Sequence, residues 1–425
     1  MQINLHRFVF DFIMKSKIFL NFFILNIEKF FSIISGIIVS GVLARALGSQ
    51  NYGDFQYLLS LVAIFSAISF FCGAEVLLPR LVENKKSEEE CYILNAAFLI
   101  RITAGFLAAI LFFLFYFLNN GWSVGLIFCV VIFLREALGI SIAWFQSESL
   151  NRVCAYVFLL FNALKLLSIS ILYYFEVYSI FAYICIYAFD MLAPVFIIFY
   201  LFLLKSNFNI KILIKEKNHH LIKNILFQSF PFFIGVVAMI FFKKMDKIFI
   251  KNVISEAEYS MYVVASQIYE NFLFVGVLVL TVLGPALVYS KKNSNEIESG
   301  ISKIIKFQFL LYILMCLFCY FFMSDFINIV FGKEYANSIS YIYLFVCLIL
   351  LVFIDESISM LYLKYKKGNI FFLKWVLMVI VFILFYFVLF KNYFANGLIF
   401  SYFGAYSFVL VFHYFLIKIK KVLDF

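Results

Sequence analysis

A chain of 425 residues that is 65% hydrophobic and 14% charged is far more apolar than a soluble globular domain, and its mean hydropathy is +1.03. These values exclude a water-soluble fold, and no polar stretch is long enough to form a separate soluble domain. The formal charge of +10 lies mainly in short connections between apolar runs, a pattern that sets membrane topology. We therefore predict an all-α integral membrane protein that is embedded in the lipid bilayer and has no nucleic-acid partner.

About twelve apolar runs of roughly 20 residues follow one another, each able to cross a hydrocarbon layer of about 30 Å as a helix. We place these spans at 18–43, 54–78, 91–117, 122–143, 153–173, 180–204, 225–249, 260–284, 304–323, 338–361, 370–390 and 398–417. Lys and Arg are concentrated in the connections on the side of the N-terminus, which predicts cytoplasmic N- and C-termini. The first span is longer than a signal-peptide core and lacks a small-residue cleavage site, so we expect it to be retained.

The longest polar and basic interruption divides these spans into six and six. We predict an N-terminal lobe at 1–204, a basic cytoplasmic loop between the lobes at 205–223, and a C-terminal lobe at 224–425. Because six is even, both lobes enter the membrane in the same direction, which is typical of parallel repeats. A faint similarity between Leu47–Phe55 and Ile254–Tyr262 agrees with such a repeat.

Four short motifs, in this order along the chain, resemble those of Wzx-type polysaccharide flippases. The stretch Ala44–Ser69 begins ARALGSQNYG, which is similar to the A-R-x-L-G and Y-G pattern of their first outer loop. The sequence around Pro231 and KKMDKIFI, followed by EYSMYVVASQIYE and Pro285, looks like their seventh and eighth helices. FGKEYANS at Phe331–Ser338 is similar to their fifth outer loop, commonly F-G-x-x-Y.

This resemblance implies a fold and a function. The family belongs to the MOP exporter superfamily, together with the MATE-like drug extruders and the lipid II flippase, and its members have two six-helix lobes around a central cavity. By resemblance, alternating access moves an undecaprenyl-diphosphate-linked oligosaccharide repeat unit from the inner to the outer leaflet of the bacterial cytoplasmic membrane. The product serves O-antigen or capsule assembly, with a polysaccharide polymerase and a chain-length regulator as expected partners.

Four cations lie at a similar depth inside spans of the N-terminal lobe: Lys29, Arg101, Arg135 and Lys165. A charge in the middle of a membrane costs about 2.5–3.5 kcal/mol on insertion scales, so each needs a physical reason. Their neighbours at helical spacing are small or polar, which predicts that they face protein or water. We predict a cationic cavity that binds the diphosphate. The alternative is a set of structural ion pairs with Glu28, Glu136 or Asp190.

The charges of the C-terminal lobe suggest other roles. Lys243 and Lys247 are candidates for the outer mouth of the pathway, although their spacing from Asp246 also suits a local ion pair. Asp190, Asp246, Glu270 and Asp355 are candidates for exchanging a proton or sodium ion that drives export. For Asp355 the alternative is a carboxylate at the membrane interface.

We expect no metal site, no catalytic residue and no cofactor other than an ion gradient. The cysteines and histidines match no zinc spacing, and there is no phosphate-binding glycine loop. A cation-coupled MATE-like exporter of small molecules is the main alternative, and a lipid II flippase remains open. A membrane polysaccharide polymerase or glycosyltransferase is disfavoured because the longest outer connection, about 324–337, holds few charged residues. A channel is disfavoured by the lack of a selectivity-filter pattern.

Overall fold

The computed structural model describes residues 2–85, 87–120, 122–206, 208, 217–365 and 367–418, and the regular elements it assigns there are all helical. The helices are α1 (Gln2–Ser69), α2 (Ala74–Glu83), α3 (Glu88–Asn120), α4 (Trp122–Leu138), α5 (Ile140–Ser147), α6 (Asn151–Tyr174), α7 (Ile180–Lys205), α8 (Lys217–Ile250), α9 (Glu256–Gly284), α10 (Ser294–Val330), α11 (Ser338–Lys364) and α12 (Gly368–Lys418). A π-helical turn, Pro285–Tyr289, continues α9.

Within the described residues, ten helical segments are long and apolar enough to cross a membrane. Two of them, Ile27–Ser69 with 43 residues and Gly368–Leu416 with 49 residues, are each long enough for two crossings. Each also contains a break, at Gly48 and at Phe394 respectively. Gly48 has a φ of 69°, a conformation that glycine adopts without steric cost. The predicted all-α membrane fold is thus confirmed.

The predicted second span, 54–78, is wrong at its end. Helix α1 ends at Ser69, residues 70–73 are not helical, and α2 begins at Ala74. Cys72 lies in this break with a φ of 57°. The break is stabilised by a side chain from another helix, described below, which is why the local apolar pattern does not reveal it.

The helices pack around a large apolar core that involves both halves of the chain, here called the N-terminal half (1–204) and the C-terminal half (224–425). Helix α1 packs against α6, α3 and α4 of its own half and against α8 and α9 of the other half. In the C-terminal half, α8 packs on α12, and α11 packs between α9 and α12. Residues 207 and 209–216 of the basic loop at 205–223, together with residues 1 and 419–425, lie outside the described residues.

Candidate functional site

A cavity of about 400 Å³ opens among α4, α5, α6 and α7 in the N-terminal half. Its polar lining consists of Arg101, Arg135, Glu136, Gln146, Asn162 and Asp190, and aromatic and aliphatic side chains complete the wall. Two of the four predicted cations therefore border one cavity. This mixture of a few polar groups on an apolar wall is typical of ligand-binding sites.

Arg135 is the cation that is most open to this cavity. It lies near the middle of the apolar segment Gly125–Ser147, yet 41% of its side chain is exposed. Its ion pair with Glu136 is loose, since 3.9 Å separate Nε and Oε1. A guanidinium held this deep in a span with so little neutralisation needs water or a ligand as its partner.

Arg101 borders the same cavity but is 3% exposed. Its guanidinium donates to the carbonyl oxygens of Phe71 at 2.8 Å, Cys72 at 2.7 Å and Glu136 at 3.0 Å. The first two carbonyls belong to the break between α1 and α2, and the third to the last turn of α4. Arg101 thus supplies hydrogen bonds to backbone that no longer has helical partners. Sequence reasoning assigned Arg101 to the substrate and missed this structural role.

Lys165 lies next to the cavity. Its ammonium is 2.7 Å from Asp190 and 3.4 Å from the amide oxygen of Asn162, and both partners line the cavity. On its other side, Lys165 borders a second cavity of about 350 Å³ that also contacts Ser168 and Asp190. Asp190 therefore lines both cavities, and its ion pair with Lys165 lies where the two cavities adjoin.

Lys29 is not brought to this site. Its side chain is 47% exposed, its ammonium lies 3.3 Å from Glu28, and it lines neither of the two cavities described above. The three carboxylates named from the sequence as alternative partners, Glu28, Glu136 and Asp190, do pair with Lys29, Arg135 and Lys165. The assignment of the four cations as diphosphate ligands stays a prediction.

In the C-terminal half, Glu270 holds two lysines. Lys244 contacts both of its carboxylate oxygens, at 2.7 and 2.8 Å, and Lys247 contacts one of them at 2.9 Å. Asp246 accepts a hydrogen bond from Tyr262 at 2.8 Å. Instead of the local pair expected within α8, these residues have partners on α9, because the helices pack closely enough to satisfy charges between them.

Of the two lysines proposed for the outer mouth, Lys247 lies inside the helical packing and Lys243 is 36% exposed. Lys247 is 1% exposed, and its ammonium is directed to Glu270. Lys243 pairs with Glu356 at 3.6 Å and borders an interior cavity of about 180 Å³. Asp246 and Glu270 line the same cavity. In this conformation, the structure places Lys247 in the interior rather than at an open mouth.

Asp355 lies at the centre of a fully buried network. Lys374 donates to its Oδ2 at 2.7 Å and to the hydroxyl of Ser359 at 2.7 Å, while Nε2 of His413 lies 2.8 Å from Oδ1. With Nε2 donating, Nδ1 of the neutral imidazole accepts from the hydroxyl of Tyr362. Asp355 is 0% exposed and therefore does not face solvent, while its position along the membrane normal stays a prediction.

Sequence reasoning missed Lys374 and His413. Both lie in apolar segments, FFLKWVLMV and LVFHYFLI, and an ionisable side chain in such a segment was the available signal. Among the described residues there is no group of three or more His, Cys, Asp or Glu side chains suited to a metal ion.

Helices of this number and length, packed around interior cavities, define a multi-pass membrane protein. Residues 18–291 match the family of polysaccharide biosynthesis proteins, and the chain belongs to that family. The predicted family is thereby confirmed. No curated protein matches the sequence.

Solved structures show the same fold. The lipid II flippase MurJ in an inward closed conformation aligns with a TM-score of 0.71 and 15% identity, covering 94% of this chain and 89% of that one. An inward-facing MATE multidrug resistance transporter of the MOP superfamily gives 0.66 and 12%, covering 94% and 96%. The MATE multidrug transporter DinF-BH gives 0.65 and 14%, covering 96% and 97%. Family and fold together support a lipid-linked flippase or transporter.

Proposed function

We propose that this protein moves undecaprenyl-diphosphate-linked oligosaccharide repeat units from the inner to the outer leaflet of the bacterial cytoplasmic membrane. The product would enter O-antigen or capsule assembly, where a polymerase and a chain-length regulator act next. The observation that carries this proposal is that Arg135, whose side chain is 41% exposed, borders a cavity within the span region. Membership of the polysaccharide biosynthesis family supports a sugar-carrying substrate.

The substrate's charge explains why a cationic cavity is needed. A diphosphate that leaves water loses its hydration, and charge-assisted hydrogen bonds from guanidinium and ammonium groups offset that loss. Arg135 is placed to make the first such contact, and Lys165 can join it by exchanging Asp190 for a phosphate oxygen. A cavity of about 400 Å³ suits the diphosphate and the adjoining sugar, while the polyprenyl tail stays in lipid.

We propose that the lobes at 1–204 and 224–425, joined by the loop at 205–223, reorient relative to each other and so give this N-terminal cavity access to each leaflet in turn. Asp190 is our candidate for coupling to a proton gradient, because it borders the cavity and pairs with a cation that the substrate would recruit. Protonation of Asp190 would release Lys165. Glu270 holds two lysines at once, and Asp355 is 0% exposed, which favours a structural role for both.

The test is the leaflet distribution of lipid-linked repeat units in cells that lack this protein, read with a sugar-cleaving enzyme confined to the outside. We expect the outer pool to disappear and the inner pool to accumulate, with recovery on adding wild type or Lys292→Ala, an exposed-lysine control. Arg135→Ala should not restore the outer pool. An outer pool that survives deletion would refute the proposal, and normal polymer in those cells would then indicate small-molecule export.

A further inference from the structure

Three motifs that the cavity does not use meet at one end of the helical bundle. The first is the stretch 44–53, around the break in α1; the second is the connection between α8 and α9; the third is the turn 331–335 after α10. They lie far apart in the sequence and belong to different halves of the chain. By the predicted topology, this is the outer end.

The N-terminal half supplies hydrogen bonds to backbone of the C-terminal half. Arg45 donates from Nη2 to the carbonyl oxygen of Asn328 at 3.1 Å and also to that of Ile329. These carbonyls belong to the last turn of α10, where helical partners are missing and a positive charge is favourable. The carbonyl of Ile327 is already satisfied by the backbone N–H groups of Phe331 and Gly332. Arg45 thus completes the end of a helix in the opposite half.

The C-terminal half returns the same kind of contact. Tyr335 donates from its hydroxyl to the carbonyl oxygen of Ala44 at 3.2 Å, one turn before the break at Gly48. Tyr335 is fully buried, and its ring packs edge-on against Tyr52 at 6.1 Å between centroids. Burial raises the pKa of Tyr335, so its hydroxyl keeps the proton that it donates. Gly332 has a φ of 114°, which allows the tight turn that brings Tyr335 back to α1.

An ion pair and a close packing contact complete this end. Asp54 pairs with Lys251, whose ammonium also lies 4.9 Å from the ring centroid of Tyr259. Gly53 lies against Tyr259 and Ser260 of α9, so that α1 and α9 approach closely. Contacts between the halves therefore include backbone capping in both directions, an ion pair and aromatic packing.

The opposite end of the bundle is joined differently. There, Phe71 stacks on Phe233 with 4.0 Å between ring centroids, Ile225 packs with Cys72, Ala96 and Ile100, and Arg80 donates to Gln228. Most of these contacts are apolar, and in none of them does a side chain donate to a backbone carbonyl of the other half. Separating this end exposes apolar surface, whereas separating the outer end also leaves carbonyl groups and a carboxylate without protein partners.

We infer that four residues form an outer gate: Arg45, Asp54, Lys251 and Tyr335. In the closed gate, each half of the chain satisfies polar groups of the other half. Breaking these contacts opens the path to the outside. The inference rests on the proposed function only for what passes through the gate. It assigns a physical role to motif residues of the first and fifth outer loops. Opening exchanges these contacts for water at the membrane surface.

The gate can be tested without a substrate. The reporter is Ser260→Cys, which is buried against Gly53, in a background whose eight native cysteines are replaced. A membrane-impermeant maleimide is added outside intact cells. We expect Arg45→Ala to raise the labelling rate about tenfold, the equivalent of about 1.4 kcal/mol in gate opening. Arg45→Lys should give a smaller rise, and Arg80→Ala, a guanidinium at the opposite end, should give none.

A reversible lock provides the second arm. Joining Asp54→Cys to Lys251→Cys with a short bifunctional reagent that forms disulfides should stop export of lipid-linked repeat units until the link is reduced. The matched control joins Glu258→Cys and Tyr341→Cys, which are in contact within one half, and should leave export intact. Unchanged labelling in Arg45→Ala, or full export with the lock closed, overturns the gate. If labelling rises in Arg45→Ala but the wild type exports no repeat units, the proposed function is overturned and the gate is still supported.

Discussion

One cation in each half, Arg135 and Lys374, shows two opposite surroundings for a positive charge inside the membrane. In the N-terminal half, Arg135 borders a cavity, its side chain is 41% exposed, and its carboxylate neighbour lies 3.9 Å away. In the C-terminal half, Lys374 and Asp355 are 1% and 0% exposed, lie 2.7 Å apart and have further hydrogen-bond partners. A charge in a span is therefore not evidence of a binding site by itself. The decisive feature is whether the protein already neutralises it.

The largest effect that we predict comes from breaking the buried network. Asp355→Asn leaves the ammonium of Lys374 buried without its counter-charge, which costs about 3–5 kcal/mol. We expect a sharp loss of folded protein, measured by thermal unfolding in detergent with size-exclusion detection. Adding Lys374→Met should recover much of the stability, because the second change removes the uncompensated charge. Normal stability of Asp355→Asn alone would show that this pair is not structural.

Arg101 should give the next largest effect. Arg101→Ala removes three hydrogen bonds from a guanidinium to backbone carbonyls. Because water can replace part of them in the space left by the side chain, we expect a net loss of about 1.5–3 kcal/mol, the range for one hydrogen bond to a charged group. Arg101→Lys should also destabilise the folded protein. An ammonium group lacks the planar guanidinium that donates both to the break after α1 and to the last turn of α4. Hydrogen exchange across 70–83 reports the loss locally. A stable Arg101→Ala protein that has lost export would instead favour the substrate role predicted from the sequence.

Arg135 should separate function from stability. Arg135→Ala should change the free energy of unfolding by less than about 0.5 kcal/mol, as for other exposed side chains. Export, followed as the outer pool of lipid-linked repeat units at matched protein amount, should fall at least about tenfold, which corresponds to about 1.4 kcal/mol of lost binding. Arg135→Lys should lie between wild type and Arg135→Ala, because it keeps the charge and loses bidentate contacts.

Lys29 should give the smallest effect. Its side chain is 47% exposed and its ion pair with Glu28 is local, a class of contact worth about 0–1 kcal/mol. We expect Lys29→Ala to retain near-normal unfolding temperature and export. A loss of export comparable to that of Arg135→Ala would extend the cationic pathway to α1, as the sequence suggested.

Much of the fold follows from the sequence, because apolar runs of sufficient length report helices that cross a membrane. The break at 70–73 does not, since the segment that contains it is predominantly apolar and the partner that stabilises it, Arg101, lies 30 residues beyond Phe71. The connections predicted at 44–53 and 391–397 are also shorter in the structure. Within α1 and α12, each is a break at a single residue, Gly48 and Phe394 respectively.

The site could be predicted only in part. Depth along a span can be read from the sequence, and it selected Lys29, Arg101, Arg135 and Lys165. The last three lie in or beside neighbouring cavities, and Lys29 does not. Whether each ammonium or guanidinium faces open space depends on partners in other helices. Asp355 illustrates the point, because its partners Lys374 and His413 lie 19 and 58 residues away. Such pairings arise from tertiary packing, which a single sequence does not specify.

The most direct measurement is translocation of an undecaprenyl-diphosphate-linked oligosaccharide by the purified protein in liposomes. Wild type, Arg135→Ala and the exposed control Lys292→Ala would be reconstituted in equal amounts. The account predicts transfer to the other leaflet with wild type and Lys292→Ala, and a rate at least about tenfold lower with Arg135→Ala. Equal rates for Arg135→Ala and wild type would contradict the claim that the N-terminal cavity carries the diphosphate.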